Sequence, residues 1–327
     1  MQAGRRPLLL AALMLPAAVA GGRAQGTGWA PDRPIRFVVP FAAGGATDVV
    51  ARVLAERLAA TLGQPVAVEN RTGAGGNIGV EAVVRSPPDG HTLLMGTMGT
   101  LTINPHIYPA LGFDPLRDLA PVAMAFATDH VLIVNPGVEA RDVQEFVALA
   151  KARPGRLSYG SAGAGSSTHM VAELFRMVAG IEVQHVPYRG SAPALNDTVA
   201  GNVQFMLDQV ASALPMVQAG RVRALAVTGQ RRHRLLPAVP TVAEAGLPDA
   251  SATSWGAVMA PAGTPAAAIL RLNAAVVEAL AQPAVQERLA AAGAEPFASP
   301  PEALAETMRQ ETARWGRVVR EARITAG

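Results

Sequence analysis

The sequence predicts an α/β fold shared between two domains, each a mostly parallel sheet flanked by helices. Three observations predict it. Strand-like and helix-like segments alternate along nearly the whole chain, which implies parallel sheet with helices on its faces. Loops of very small residues stand at several strand-to-helix turns, where the backbone can approach a neighbour or ligand closely. Finally, roughly ten strands in about 300 residues fit two sheets better than one. There is no single long linker, so the chain is expected to cross between domains more than once, near residues 123–129 and 251–257. The expected organisation is a leader at residues 1–24, a first domain of 30–128 plus 256–327, and a second domain of 129–255.

The elements follow in order. Residues 35–39 read as a short buried strand. The turn from Pro40 to Asp48 contains Ala42-Ala43-Gly44-Gly45-Ala46 and feeds a helix with Val50, Val53, Leu54, Leu58 and Leu62. Thr47 or Asp48 is its expected N-cap. Strands are expected at 65–68 and 92–96, separated by a Gly-rich turn from Gly73 to Gly79 and a Pro-Pro-Asp-Gly turn at 87–90. The second of these strands ends at Thr97 and a loop. Residues 121–127 and 130–134 read as two strands, and 143–152 as a helix.

The stretch from Leu157 to Gly190 carries the most information. It reads as strand, small-residue loop, helix and strand. Residues 160–167 contain no side chain larger than serine. From Thr168 the period changes, and Met170, Leu174, Phe175 and Val178 fall on one helical face. Such a loop presents unpaired N–H groups at a helix N-terminus, where the helix dipole favours an anion. A tight turn without a ligand explains the same pattern. Further strands are expected at 203–207, ending at Asp208, and at 223–227 and 255–259. Helices are expected at 193–200, 210–219, 266–281, 283–292 and 302–322, the last with Leu304, Met308, Trp315 and Val319 facing inward.

Composition narrows the function. The 327 residues are 50% hydrophobic and 16% charged, a globular composition. The formal net charge of +3 comes from the acid-free N-terminal segment with Arg5, Arg6 and Arg23. Without it the charges balance, which argues against nucleic acid or an anionic membrane as partner. Arg5 and Arg6, the 13-residue apolar run at 8–20 and the small residues after it have the layout of a cleavable secretory signal. The run is too short to span a bilayer. Secretory and twin-arginine routes both fit, with cleavage after Ala20 or Ala24. A soluble, exported monomer is expected. The chain has no cysteine, so disulfide and thiol chemistry are excluded.

Catalytic motifs are missing. Ser161 has Gly163 after it but Tyr159 before it, and Ser166 has Ala164 before it, so neither makes a nucleophile elbow. Ile78 stands where a dinucleotide fingerprint would continue from Gly73 and Gly75. The six histidines have no zinc-ligand spacing. No catalytic residue, cofactor or metal is expected. His169, in the first turn of the central helix, either donates to an anion or bonds a loop carbonyl. Tyr188 and Arg189 either line a cleft or lie on the surface. Asp48 and Asp208 each follow a strand, and an acid there is better suited to ordering a loop than to holding an anion.

These residues resemble the substrate-binding receptors of tripartite tricarboxylate transporters, the Bug family. The matches include Pro40-Phe41-Ala42-Ala43-Gly44-Gly45 with Asp48-Val49-Val50-Ala51-Arg52, Gly73-Ala74-Gly75-Gly76, and Asp89-Gly90-His91-Thr92-Leu93-Leu94. They continue with Tyr159-Gly160-Ser161-Ala162-Gly163, His169, His185-Val186-Pro187-Tyr188-Arg189-Gly190, Leu225-Ala226-Val227-Thr228, and Pro240-Thr241-Val242-Ala243-Glu244-Ala245-Gly246. The resemblance implies a two-domain, type II-like periplasmic binding protein with its ligand cleft between the domains. It implies a small carboxylate-bearing ligand delivered to a two-component membrane permease, and no catalysis. It also implies a carboxylate held by the loop after Phe41 and the loop from Ser161 to His169. The expected ligand-binding residues are Phe41, Gly44, Gly45, Ala46, Thr47, Asp48, Thr97, Ser161, Ala164, Gly165, Ser166, Thr168, His169, Tyr188 and Asp208. A ligand sensor acting on a membrane histidine kinase needs the same binding and closure. An exported hydrolase is disfavoured by the missing nucleophile–base pair.

Overall fold

The computed structural model describes Met1, residues 28–188 and residues 190–325. The expected leader and Arg189 lie outside the described residues. Ten strands alternate with helices: β1 (Ile35–Val39), α1 (Ala46–Leu62), β2 (Val66–Asn70), α2 (Asn77–Val84), β3 (Thr92–Thr97), α3 (Asn104–Ile107), α4 (Pro115–Asp118) and β4 (Leu119–Val134) open the chain. Then come α5 (Val143–Ala152), β5 (Ser158–Ser161), α6 (Ser167–Ala179), β6 (Gln184–Pro187), α7 (Ser191–Ala200), β7 (Phe205–Gln209), α8 (Val210–Gln218) and β8 (Arg223–Val227). The chain closes with β9 (Thr253–Pro261), α9 (Ala266–Leu280), α10 (Pro283–Ala291), β10 (Glu295–Pro296) and α11 (Pro301–Ala322).

The strands form one hydrogen-bonded path, β2-β1-β3-β9-β4-β7-β5-β6, with β8 and β10 also paired to β4. The outer pairs β1–β2, β1–β3, β5–β6 and β5–β7 are parallel, as expected of βαβ units. The middle differs from the expectation. Residues 121–127 and 130–134 are not two strands but parts of the single 16-residue β4. Its first part, from Leu119 to Asp129, pairs antiparallel with β9. Its second part, from His130 to Val134, pairs antiparallel with β7 and β8. No glycine or proline interrupts the chain between Pro121 and Pro136, so nothing stops the strand at Asp129. Register shifts at Pro121/Ala123 and Met124/Phe126 mark bulges, which raise local twist. The sheet is therefore mixed, with β4 as the member common to a first lobe (β1–β3, β9, β10) and a second lobe (β5–β8).

Core packing follows the helical periods. In the first lobe, α1, α9 and α10 bury Val50, Leu54, Leu58, Leu272, Val276 and Leu289 against Phe37, Val39 and Met95. On the other face, α2 and α11 bury Val80, Val83, Leu304, Met308 and Trp315. The inward set expected for α11 is buried, and Trp315 is fully so. Its indole N–H donates to Glu311 one turn earlier at 2.5 Å. That core continues into the second lobe through Phe146, Tyr159, Phe175 and Phe205. Val131, Ile133, Met206 and Val210 form a separate cluster with α7 and α8. Among the described residues no single helix is long and apolar enough to cross a membrane; α9 and α10 are apolar together but meet at 77°.

Candidate functional site

Two helix N-termini face one cavity. The first is that of α1. Its N-cap is Gly45, extended at φ −76° and ψ 165°, with no side-chain cap. Thr47 and Asp48, the N-cap candidates, lie inside the first turn. The first helical bond runs from the Val49 amide to the Gly45 carbonyl at 3.0 Å. The amides of Gly45, Ala46, Thr47 and Asp48 therefore have no acceptor among the described residues. Asp48 is buried and turns its carboxylate back to the loop. Oδ2 accepts from the Gly44 amide and from Arg52 Nε, both at 2.9 Å, and Oδ1 accepts from Asn70 Nδ2 at 2.8 Å. Asn70 also donates to the Phe41 carbonyl at 2.9 Å. Burial alone would raise the Asp48 pKa; the bonds from Arg52, Gly44 and Asn70 outweigh it and hold the carboxyl below its ordinary value. Its acceptor capacity is spent on ordering the turn.

The second N-terminus belongs to α6. Its N-cap is Ser166, whose hydroxyl donates to the Gly163 carbonyl at 2.6 Å and accepts from the His169 amide at 3.3 Å. The Thr168 hydroxyl accepts from the Ala162 amide at 2.8 Å. His169 Nδ1 accepts from the Gly165 amide at 3.0 Å, so the ring proton resides on Nε2. Burial, then the neighbouring His185 and Arg176, bring the His169 pKa down to about 3. The neutral ring stacks on His185 with centroids 3.8 Å apart and planes 8° from parallel, and the Tyr159 ring lies beside the pair, 4.9 Å from His185 and 6.4 Å from His169. Tyr159 donates to Glu173 at 2.5 Å. The amides of Ala164, Ser167 and Thr168 have no acceptor among the described residues.

The cavity between these termini measures about 440 Å³. One wall is Phe41 with residues 45–48, and the facing wall is residues 162–167. Gly75 and the turn after β3, with Thr97, Met98, Gly99, Asn104, Ile107 and Tyr108, close one side. Phe126 and Thr128 of β4, Ser254 and Trp255 of β9, and Gln209 form the floor. Asn104 Nδ2 bonds the Gly75 carbonyl at 3.0 Å and Asn77 Oδ1 at 2.6 Å, tying the third Gly-rich turn to the turn after β3. The walls touch across the cleft: Gly165 has φ +73°, and a Cβ there would stand 2.4 Å from Ile107 Cδ1.

Of the sequence-predicted residues, Phe41, Gly45, Ala46, Thr47, Asp48, Thr97, Ala164, Gly165 and Ser166 line this cavity. Gly44, Ser161, Thr168, His169, Tyr188 and Asp208 do not line it. Gly44 gives its amide to Asp48. Ser161 is fully buried with Oγ 2.6 Å from His185 Nε2. This is a serine–histidine pair, yet the serine has no exposed face to offer a substrate. Thr168 and His169 brace the loop from behind. The Tyr188 hydroxyl donates to Asp197 at 2.7 Å, and its pKa is pushed up to about 12 by burial and then by Asp197. Asp208 is fully buried and accepts from the Gln209 amide at 2.9 Å; burial raises its pKa. Each of the six is small, capping or paired, so its contribution is to loop shape.

The cavity residues outside the expected set are Gly75, Met98, Gly99, Asn104, Ile107, Tyr108, Phe126, Thr128, Ala162, Gly163, Ser167, Gln209, Ser254 and Trp255, of which Ala162, Gly163 and Ser167 lie in the loop from Ser161 to His169 expected to hold the ligand. A signal existed for some. Phe126, Thr128, Ser254 and Trp255 fall in the stretches expected to cross between domains, and a crossing strand must floor any cleft there. Among the described residues, no group of three or more His, Cys, Asp or Glu side chains is placed to hold a metal ion.

Comparison with known proteins agrees with this architecture. Residues 50–324 match the family described as tripartite tricarboxylate transporter family receptor. A protein from the tcbD-tcbE intergenic region of a Pseudomonas species is 42% identical over 324 residues, spanning 99% of this chain and 96% of that protein. BugT of Bordetella pertussis is 40% identical, spanning 89% and 90%. Among solved structures, an R. palustris protein with adipate is 37% identical with a TM-score of 0.78, covering 90% of this chain and 99% of that one. MatC of Rhodopseudomonas palustris with bound malate is also 37% identical, with a TM-score of 0.74, covering 88% and 99%. The chain belongs to the tripartite tricarboxylate transporter receptor family, the Bug group of periplasmic solute-binding receptors, which are not enzymes.

Proposed function

We propose that this chain captures a small carboxylate-bearing ligand in the cleft between its lobes and delivers it to a two-component membrane permease. One observation carries the reading: unpaired amides of two helix N-termini, at residues 45–48 and at Ala164 and Ser167, stand on facing walls of one cavity. Converging N–H groups and helix dipoles stabilise an anion without a buried counter-charge. Hydrogen bonds to a charged group contribute about 1.5–3 kcal/mol each. The adipate and malate held by R. palustris relatives support the ligand class. In this reading Phe41, residues 45–48, Thr97 and residues 164–167 touch the ligand. Gly44, Ser161, Thr168, His169, Tyr188 and Asp208 hold the loops. The lobes act as domains of residues 30–128 plus 256–327 and 129–255, and the leader at 1–24 is removed on export to the periplasm.

The decisive test is mass spectrometry of small molecules released from freshly purified, denatured protein, followed by thermal-shift screening. A carboxylic acid should be released, and carboxylates should stabilise the protein by mass action, about 2.7 kcal/mol at a hundredfold excess over Kd. Stabilisation by sugars or polyamines with none by carboxylates would overturn the reading.

A further inference from the structure

The crossing strands have a second face. Side chains alternate along a strand, and Thr128 pairs with Ser254 while Ala127 pairs with Trp255 and Asp129 with Thr253. Phe126, Thr128 and Ser254 floor the cleft. Ala127, Asp129 and Thr253 floor a groove of about 930 Å³ behind the same ribbon, and Trp255 borders both spaces. One wall of the groove is second-lobe chain, residues 230–234 and 251–253. The other is first-lobe chain from α10, β10 and α11.

Polar contacts cross this groove from lobe to lobe. Arg314 of α11 donates to the Ser251 carbonyl at 2.5 Å and to that of Asp249 at 3.4 Å. Glu295 Oε1 of β10 lies 3.5 Å from His233 Nε2 and 3.7 Å from Arg234 Nε. His233 Nδ1 accepts from the Leu235 amide at 3.2 Å, which places the ring proton on Nε2, towards Glu295. Asp129 on the floor accepts from the Thr253 hydroxyl at 2.8 Å. None of Arg314, Glu295, His233 or Arg234 lines the cleft.

Cleft and groove lie on opposite faces of one two-stranded ribbon. A rotation of the lobes about that ribbon that narrows the cleft must widen the groove and stretch whatever spans it. We propose that the groove is a latch: the Arg314–Ser251 bond and the Glu295 contacts with His233 and Arg234 bias the ligand-free receptor towards an open cleft. In this structure they coexist with the approach of Gly165 to Ile107 across the cleft; further narrowing stretches them, so they set the population of the fully closed state and, through it, the apparent affinity of the cleft for its ligand.

The test needs no ligand, so its outcome is separate from that of the carboxylate reading. The chain has no cysteine, so Arg71→Cys and Ala192→Cys give two unique labelling sites. Both positions are exposed, just beyond the C-terminal ends of β2 and β6, on rims of different lobes. Spin-label distance distributions are measured in the ligand-free protein with the native groove, with Glu295→Gln and with Arg314→Gln. Circular dichroism and melting curves check that each variant is folded. Glu295→Gln removes only a charge at a partly exposed position. Each variant should raise the short-distance population at least twofold over the native groove. An unchanged distribution, or a shift to longer distances, in the folded variants would overturn the latch.

Discussion

The loops before α1 and α6 leave unpaired amides facing the same cavity, but they are held in different ways. The α1 loop is organised by charge. Its N-cap is a bare glycine, and the buried Asp48 carboxylate gathers Gly44, Arg52 and Asn70 behind it. The α6 loop is organised by neutral groups. Ser166, Thr168 and the uncharged His169 bond its carbonyls and amides, and the ring stack of His169, His185 and Tyr159 backs them. Both arrangements keep charged side chains turned away while a helix dipole points at the cavity. One wall of the cavity is thus held by charge and the other by neutral groups. A charged brace should respond to low pH only in the carboxylate range, and a histidine brace already near pH 6.

The largest expected effect breaks the α6 loop. Gly165→Val places a branched side chain at φ +73°, and its Cβ meets Ile107 across the cleft at 2.4 Å. Room is made only by displacing the end of the Ile107 side chain, which lines the same cavity. Left-handed strain of about 1–2 kcal/mol adds to this disturbance of the site. Affinity for the released ligand should fall about a hundredfold or more by calorimetric titration, at about 1.4 kcal/mol per tenfold. The matching change in the α1 loop, Gly44→Val, also meets positive φ (+89°) but open space, and should cost less. Equal losses in the two variants would erase this contrast.

Next is the charged brace. Asp48→Asn keeps the shape but has one acceptor oxygen and no charge: if that oxygen keeps Gly44 and Arg52, its amide NH2 faces the Asn70 Nδ2 donor, and the Arg52 ion pair is lost. Stability should fall by about 1–3 kcal/mol, read as a lower denaturation midpoint. Because the folded pKa of Asp48 is depressed, its contribution is present above the unfolded value of about 4 and is lost as pH falls below it. The variant should therefore differ from wild type at pH 7 and converge on it in acid. A gap that persists at pH 2 would count against the charge as the cause.

The neutral brace gives a smaller effect in another pH window. His169 is depressed to about 3 in the folded protein, so its stabilising contribution is present above the unfolded value of about 6.5 and declines as pH falls from there. His169→Gln retains an acceptor for the Gly165 amide and does not titrate. Melting temperatures at pH 7 and pH 5 should differ less in this variant than in wild type. An identical pH 7 to pH 5 difference would show that the ring is not what titrates.

The smallest effect is Ser166→Ala. Loss of an N-cap hydroxyl costs about 1 kcal/mol of stability. The hydroxyl is spent inside the loop, so ligand affinity should drop by less than about tenfold. A hundredfold drop with an unchanged melting curve would make the Ser166 hydroxyl itself a direct ligand donor and remove it from the brace.

Much of this protein is determined by local sequence. Hydrophobic period and capping chemistry place elements to within a few residues: β1, α5 and β8 begin and end where the pattern says. The small-residue turns at residues 40–48 and 160–168 mark two helix N-termini because only small side chains let a backbone approach a neighbour so closely. Family-level motifs in the same segments carry the binding class. These are properties of neighbours in sequence, so they are legible without a fold.

Tertiary structure decided the rest. Whether 121–127 and 130–134 are one strand or two depends on β9, β7 and β8 pairing along them from distant parts of the chain. Which serine, threonine or histidine faces the cavity is likewise not local. Ser166 and His169 are three residues apart on one turn, yet one lines the space and the other is stacked behind it. Ile107 reaches Gly165 only because two lobes meet, and Phe126, Thr128 and Ser254 become a floor only because β4 and β9 pair between those lobes. A side chain's periodicity says which face of its own element it occupies. Only the packing of elements far apart in sequence determines what that face meets.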